Sequence, residues 1–355
     1  MPSPPSSNLP SGTVTCYKSA LDIPQGIFDA LKADTMAECR TNVILCHLLK
    51  RIDAERSGEA PKPGEFWITC TTHAPRTTQP TLDLILSCSE GPLGKYPVFI
   101  TSTQPFSHLV ETAYIKNRMY KVVGELATLV PHSRVFSVFA PQPLSMLFAS
   151  MWFQATGIAS VQPFYYEATS SLCTRRSFVN HPAPSPIPGF VFDLRLAVPS
   201  DLIAVAELCR LFAATSPPFS LTPEKAEREA AILIEKQQLW VHEIKRGTTG
   251  YPSIASIVAV TRVSGRVAAI TKVFTNPSWR KMGCAERLVR QVTKHLLKTK
   301  EAIVLYVGSG NNAAHVYRKV GFQGLEDGGV EWGREGVEPW VEVGFDPRVV
   351  DLGHW

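Results

Sequence analysis

Two short runs in the second half of the chain carry residue types that could do chemistry. The first is Arg280-Lys281-Met282-Gly283-Cys284-Ala285, which follows a β-rich segment ending at Thr275-Asn276-Pro277. It opens a stretch whose apolar positions Ala285, Leu288, Val289, Val292 and Leu296 form one helical stripe. The first turn of such a helix leaves backbone N–H groups unpaired and carries partial positive charge. Gly283 permits close approach of a ligand, small Ala285 keeps the entrance clear, and Arg280 and Lys281 add full charge at the mouth. These features make a pyrophosphate cradle. Read alone, the same residues also describe a glycine that merely starts an amphipathic helix. No Walker lysine–serine pair and no dinucleotide-type glycine pair accompanies them.

Cys284 lies in the same mouth, where a thiolate would be stabilised, so a cysteine nucleophile is one alternative. No histidine lies nearby in sequence to activate it, and a small packed side chain is the other reading.

The second run is Asn311 to Phe322. Asn311, Ala314 and Tyr317 are spaced i, i+3, i+6 and would share a helix face, with Gly321 ending the helix and Phe322 returning to the core. On that face Asn311 offers an amide, Tyr317 a phenol, and Ala314 room for a ligand arm.

The elements that must position these runs form a regular α/β succession. Phe190 to Ala197 reads as a strand, and Ser200 or Asp201 can cap a helix bearing Leu202, Val205, Leu208, Cys209 and Phe212. Thr222-Pro223-Glu224 opens another helix, to about Gln237. Strands follow at about Leu239 to Ile244, Ile254 to Thr261 and Val267 to Phe274, the last two joined at Ser264-Gly265. Ala302 to Val307 is a buried strand, and further strands lie near Glu338 to Gly344.

In the first half, strands are expected at Leu82 to Cys88, Val98 to Thr103, Val135 to Ala140 and Val161 to Tyr166, with helices at Val110 to Leu126 and Leu144 to Thr156. The strand–helix ending closed by Gly157 echoes Ile303 to Phe322 and reads as an internal repeat at domain scale. Proline at alternate positions makes 180–189 a linker. The expected organisation is a disordered tail (1–15), an N-terminal domain (16–179), the linker (180–189) and a second domain (190–355).

Strand–turn–R-x-x-G-x-A–helix, followed by strand–N-x-x-A-x-x-Y-x-K-x-G-F, resembles motifs A and B of the GNAT superfamily of acyl-CoA N-acyltransferases. The resemblance covers about Phe190 to Gly344. It implies an α/β mixed-sheet GNAT fold, and the first half resembles a degenerate second copy that lacks the working parts. It further implies that the amides of Met282, Gly283, Cys284 and Ala285, with Arg280, hold the pyrophosphate of coenzyme A. The edge of Val273-Phe274-Thr275 would pair with the pantetheine arm, and the Val273 amide would polarise the thioester carbonyl. Tyr317 would protonate the departing thiolate. The implied reaction is transfer of an acetyl group from acetyl-CoA to a primary amine, by direct attack in a ternary complex. One departure is plain: Val267-Ala268-Ala269-Ile270 carries no carboxylate to serve as general base, so either the amine arrives partly neutral or water relays its proton to a remote group such as Glu331 or His242. Protein lysine or N-terminal acetylation, and coenzyme A binding without turnover, stay as alternatives.

Composition agrees with an enzyme of this kind. The 355 residues are 45% hydrophobic and 19% charged, with net charge +5, which fits a globular protein with a phosphate-rich ligand and no nucleic-acid tract. Eight cysteines with no CxxC pair point to reduced thiols in a cytoplasmic setting and to no metal. The uncharged stretch 135–166 is broken by Pro141, Pro143, Gly157 and Pro163, so it reads as core and not as a membrane span. A monomer or homodimer is expected.

Overall fold

The computed structural model describes residues 12–73, 80–110, 112–180, 187–325 and 335–354. Most of the expected tail and linker, together with Glu331, lie outside these residues.

The two halves repeat one order of elements. The first runs β1 (Thr13–Tyr17), α1 (Gln25–Leu31), α2 (Thr35–Arg56), β2 (Phe66–Thr72) and β3 (Thr81–Cys88). A small hairpin follows, β4 (Glu90–Gly91) and β5 (Gly94–Lys95), then β6 (Val98–Thr101), α3 (Phe106–Val110) and α4 (Thr112–Leu129). It ends with β7 (Ser137–Pro141), α5 (Gln142–Thr156) and β8 (Tyr166–Thr174). The second half runs β9 (Phe190–Leu196), α6 (Leu202–Ala213), α7 (Pro223–Glu235), β10 (Leu239–Arg246), β11 (Ser253–Val263) and β12 (Val267–Thr275). It closes with α8 (Cys284–Leu296), β13 (Ala302–Gly308), α9 (Ala313–Val320) and β14 (Glu338–Gly344).

Twelve strands form one mixed sheet in the order β1-β2-β3-β6-β7-β14-β8-β13-β12-β11-β10-β9. The order is symmetric about its centre, with the last strands exchanged. β14 of the second half pairs with β7 of the first, and β8 of the first half pairs with β13 of the second. The exchanged strands β8 and β14 also pair with each other. Only β6–β7 and β12–β13 run parallel among the paired strands described.

Helices cover both faces. Val258 and Val260 on β11 pack with the α8–α9 core, whereas the alternate Ile257 and Ala259 pack under α6 and α7. α2 reaches across from its own half. Its Glu38 carboxylate accepts from the Ser264 hydroxyl at 2.5 Å and the Arg266 amide at 3.0 Å, at the turn between β11 and β12.

Three expectations need correction. Val161 to Tyr166 does not form the strand; its amides at Val161 and Tyr165 each reach a carbonyl of β14, but Pro163 interrupts any ladder, and β8 begins at Tyr166. Asp201 does not cap α6 forward. Its carboxylate turns back to the Val198 amide at 2.8 Å and the Arg195 guanidinium at 2.6 Å. β1, α1, α2 and β2 are additions that the sequence reading lacks. Among the described residues no helix is long and apolar enough to cross a membrane.

Candidate active site

β12 and β13 pair over three residues only: Val267 with Ala302, Ala268 with Ile303, and Ala269 with Val304. Beyond Ala269 the two parallel strands part and leave a wedge-shaped gap. The cause is visible on the other side of β12. Its register against β11 slips so that Thr271 has no partner between the pairs Ile270–Val260 and Lys272–Ala259. Such a bulge bends and twists its strand and re-aims the side chains that follow.

The hydrogen-bond phase decides what faces the gap. The Asn276 amide donates to the Ala255 carbonyl on β11 at 2.9 Å. In an antiparallel ladder the donating residues alternate, so the N–H and C=O of Val273 and Thr275 point away from β11, into the gap. Val273 packs its side chain against the α8–α9 core, and Phe274 packs under α6 and α7. Val273 and Thr275 thus present a strand edge with no β-strand partner, of the kind a linear amide arm can join.

At the end of that edge the chain turns into α8. Lys281 and Gly283 both adopt left-handed backbone, at φ 62° and 73°. No side chain caps the helix, so its first amides are offered outward from Gly283 onward. Arg287 donates to the Met282 carbonyl at 2.6 Å and fixes the turn from behind. Arg280 folds over the strand end, donating to the Thr275 carbonyl at 3.4 Å with its guanidinium 5.5 Å from the Phe274 ring centre. Arg280 and Lys281 remain exposed, Met282 and Ala285 half-buried.

Cys284 settles its own alternatives. The side chain is buried among Ile187, Ile244 and Ala255, and burial pushes its thiol up from the ordinary range. A buried thiol held protonated is packing, not a nucleophile.

On α9, Tyr317 lies inside the core cluster that Val273 and Ala314 line, with its ring 5.9 Å from Phe322. Burial raises the phenol above the usual tyrosine range and favours its protonated form. Gly321 stops the helix at φ 109°; a Cβ there would stand 2.1 Å from the Ser177 carbonyl oxygen. Glu286 of α8 pairs with Arg290 at 2.8 Å and lies 3.8 Å from Lys319 of α9, tying the two helices. Asn311 departs from expectation. It precedes the helix, is exposed, and its side-chain oxygen accepts from the Ala313 amide at 2.9 Å, so it orders the helix entry and does not share a face with Tyr317.

His242 is fully buried, stacks on Phe192 at 5.1 Å, and is pushed down to about 4 by burial and then by Arg287. It is neutral and on the α8 side. Two other large aromatics are also core: Phe219 packs on Phe136 and Tyr165, and Trp340 packs on Phe139 and Tyr306. The two cavities described, of about 570 and 310 Å³, lie along α3–α5 and beside α1–α2 of the first half, away from Tyr317. Sequence reading missed an ion pair beside the gap. Lys272 of β12 meets Glu229 of α7 at 2.7 Å. A search confined to carboxylates on β12 itself could not find it, because the partner comes from another helix.

Residues 256–329 match the family model described as FR47-like protein. A tandem GNAT protein from the clavulanic acid biosynthesis pathway has a similar structure at 13% identity and a TM-score of 0.51, over 94% of this chain and 98% of that one. A Drosophila protein solved by X-ray crystallography matches at 13% identity and a TM-score of 0.53, over 94% and 99%. The fold is that of a tandem GNAT protein. A GCN5-related N-acetyltransferase from Sphaerobacter thermophilus is also similar, at 16% identity and a TM-score of 0.49 over 93% and 94%. No curated protein matches the chain by sequence. In the tandem GNAT fold the second half holds the matched segment, and that segment contains the gap, the uncapped helix and Tyr317.

Proposed function

We propose that residues 190–355 form the catalytic half of an acyltransferase that moves an acetyl group from acetyl-CoA to a primary amine on a small molecule. The observation that carries this reading is the gap between β12 and β13, whose edge at Val273–Thr275 leads through a short helical turn at Pro277–Trp279 to the uncapped start of α8. Bound acetyl-CoA would supply an electrophilic thioester carbonyl. The first-turn amides of α8, with Arg280 and Lys281 at the mouth, would receive its diphosphate. The Val273 and Thr275 backbone would hold the amide-rich arm, and the Val273 N–H would stabilise negative charge on the carbonyl oxygen. Tyr317 would give its proton to the thiolate as the carbon–sulfur bond breaks. The amine nitrogen forms the new bond; of the two protons an ammonium sheds on becoming an amide, one ends on the thiol and one in water.

Isothermal titration with acetyl-CoA, beside release of free coenzyme A thiol across a panel of amines and lysine peptides, tests the reading. Binding with amine-dependent thiol release is expected. Absence of a carboxylate on β12 favours one rival, a coenzyme A-binding protein without turnover. Binding with no acceptor turned over would establish that rival.

A further inference from the structure

Lys272 and Glu229 form an ion pair of unusual placement. The Oε2–Nζ distance is 2.7 Å, and the side chains are only 11% and 17% exposed. Lys272 immediately precedes Val273, whose amide faces the gap. The bulge at Thr271 turns Lys272 to the α6–α7 face, opposite Tyr317. There its ammonium lies 4.9 Å from the Phe212 ring centre, and Phe212 meets Phe274 edge-on at 6.3 Å. The pair therefore sits beside the strand edge, next to two phenyl rings. Tyr96 from the first half lies within its field, since Glu229 helps raise that phenol after burial.

We propose that the acceptor is an amino-acid zwitterion, its ammonium received by Glu229 and its carboxylate by Lys272. The proposal rests on the transferase reading and specifies its substrate. The physical reason is charge matching. Breaking a nearly buried pair by engaging one member strands the other without a counter-charge, which is costly. A bare alkylamine bound at Glu229 would do this to Lys272. A zwitterion gives each member a partner and replaces one pair by two charge-assisted contacts. The phenyl rings of Phe212 and Phe274 then face the acceptor's side chain, favouring an apolar one. Glu229, holding the ammonium, is placed to take the proton that must leave before the nitrogen attacks.

The experiment compares each proteinogenic amino acid with its own carboxamide and with the matched alkylamine, by coenzyme A thiol release. At least one amino acid should exceed its amide in kcat/KM by about tenfold or more, the worth of a charged hydrogen bond. K272M should erase that preference, lowering kcat/KM for the amino acid by about tenfold relative to its amide, with acetyl-CoA binding unchanged. E229Q should slow every acceptor. Titration of the preferred amino acid into protein saturated with coenzyme A gives a second readout that needs no turnover: wild type binds and K272M does not. The proposal is overturned if no amino acid outperforms its amide and none binds, or if K272M lowers amino acid and amide equally. Amino-acid binding with acetyl-CoA binding but no turnover would sink the transferase reading and leave the zwitterion site standing.

Discussion

Glu342 offers the sharpest test of the strand exchange, because its titration should be written into the protein's stability. It lies on β14, opposite Phe139 of β7 and Tyr166 of β8, and has no exposed surface. One oxygen accepts from the Ser137 hydroxyl at 2.7 Å; the other has no partner, and no cation pairs with it, among the described residues. Burial pushes the carboxyl from 4.5 to about 8 against a smaller opposing effect of Ser137. The folded state thus keeps a proton that the unfolded chain releases. The resulting stability is fully present below pH 4.5 and is lost as pH rises to about 8. At ~1.4 kcal/mol per pH unit the loss is ~5 kcal/mol across the window and ~3 kcal/mol by pH 7. Glu342→Gln keeps the shape and the Ser137 contact and removes the titration. Urea denaturation of both proteins at pH 5, 7 and 9 should give nearly equal stabilities at the lowest pH and a growing advantage for the variant above it. Other titrating groups cancel in the difference. Parallel stability curves, offset or not, would refute the reasoning.

Three further outcomes follow from the geometry. Tyr317→Phe should bind acetyl-CoA like wild type in calorimetry yet turn over ~10²–10⁴-fold more slowly in the thiol-release assay, the usual worth of a positioned proton donor. Gly283→Ala forces a Cβ onto a φ of 73°, so it should cost ~1–2 kcal/mol and weaken acetyl-CoA affinity, read by melting and titration. Asp83→Ala should destabilise by ~3–5 kcal/mol in urea, because Asp83, itself fully buried, neutralises Arg118 at 2.7 Å and accepts from Thr72 and Tyr114.

The second half was legible wherever a local rule decides the outcome. Thr222 caps α7 through the Lys225 amide, Pro223 takes its first position, and the centre of the α8 stripe, Leu288, Val289 and Val292, is buried as its spacing requires. What escaped was set by tertiary partners. α2 shows no single apolar stripe, since Glu38, Thr41, Asn42, Arg51 and Glu55 are buried along with its aliphatics. Glu38 faces the other half, Arg51 and Glu55 join a salt-bridge cluster, and Thr41 and Asn42 bond locally, none of which periodicity can announce. Asp201 has the type and place of an N-cap, but Arg195 on β9 and the Val198 amide claim its carboxylate. Asn311 shows the reverse case: a short-range Asn contact outcompetes the helical phase assumed for it. The edge of β12 could be expected from its strand character, whereas the Thr271 bulge that frees it depends on register against β11.

The exchanged strands make the gap of the second half depend on the first. β13 must stand apart from β12 for the gap to exist, yet an isolated strand attached over three residue pairs would fray or close back on its neighbour. It does neither because β8 pairs with it along all seven residues, from Ala302–Thr174 to Gly308–Ala168. The far wall of the gap is therefore fixed by the first half. The near wall is steadied by the same half, through Glu38 at the β11–β12 turn. Sequence places a boundary near residue 180, but the hydrogen bonds that hold the gap open cross it in both directions. The first half thus determines the width of the gap through β8 and α2, whatever groups line it.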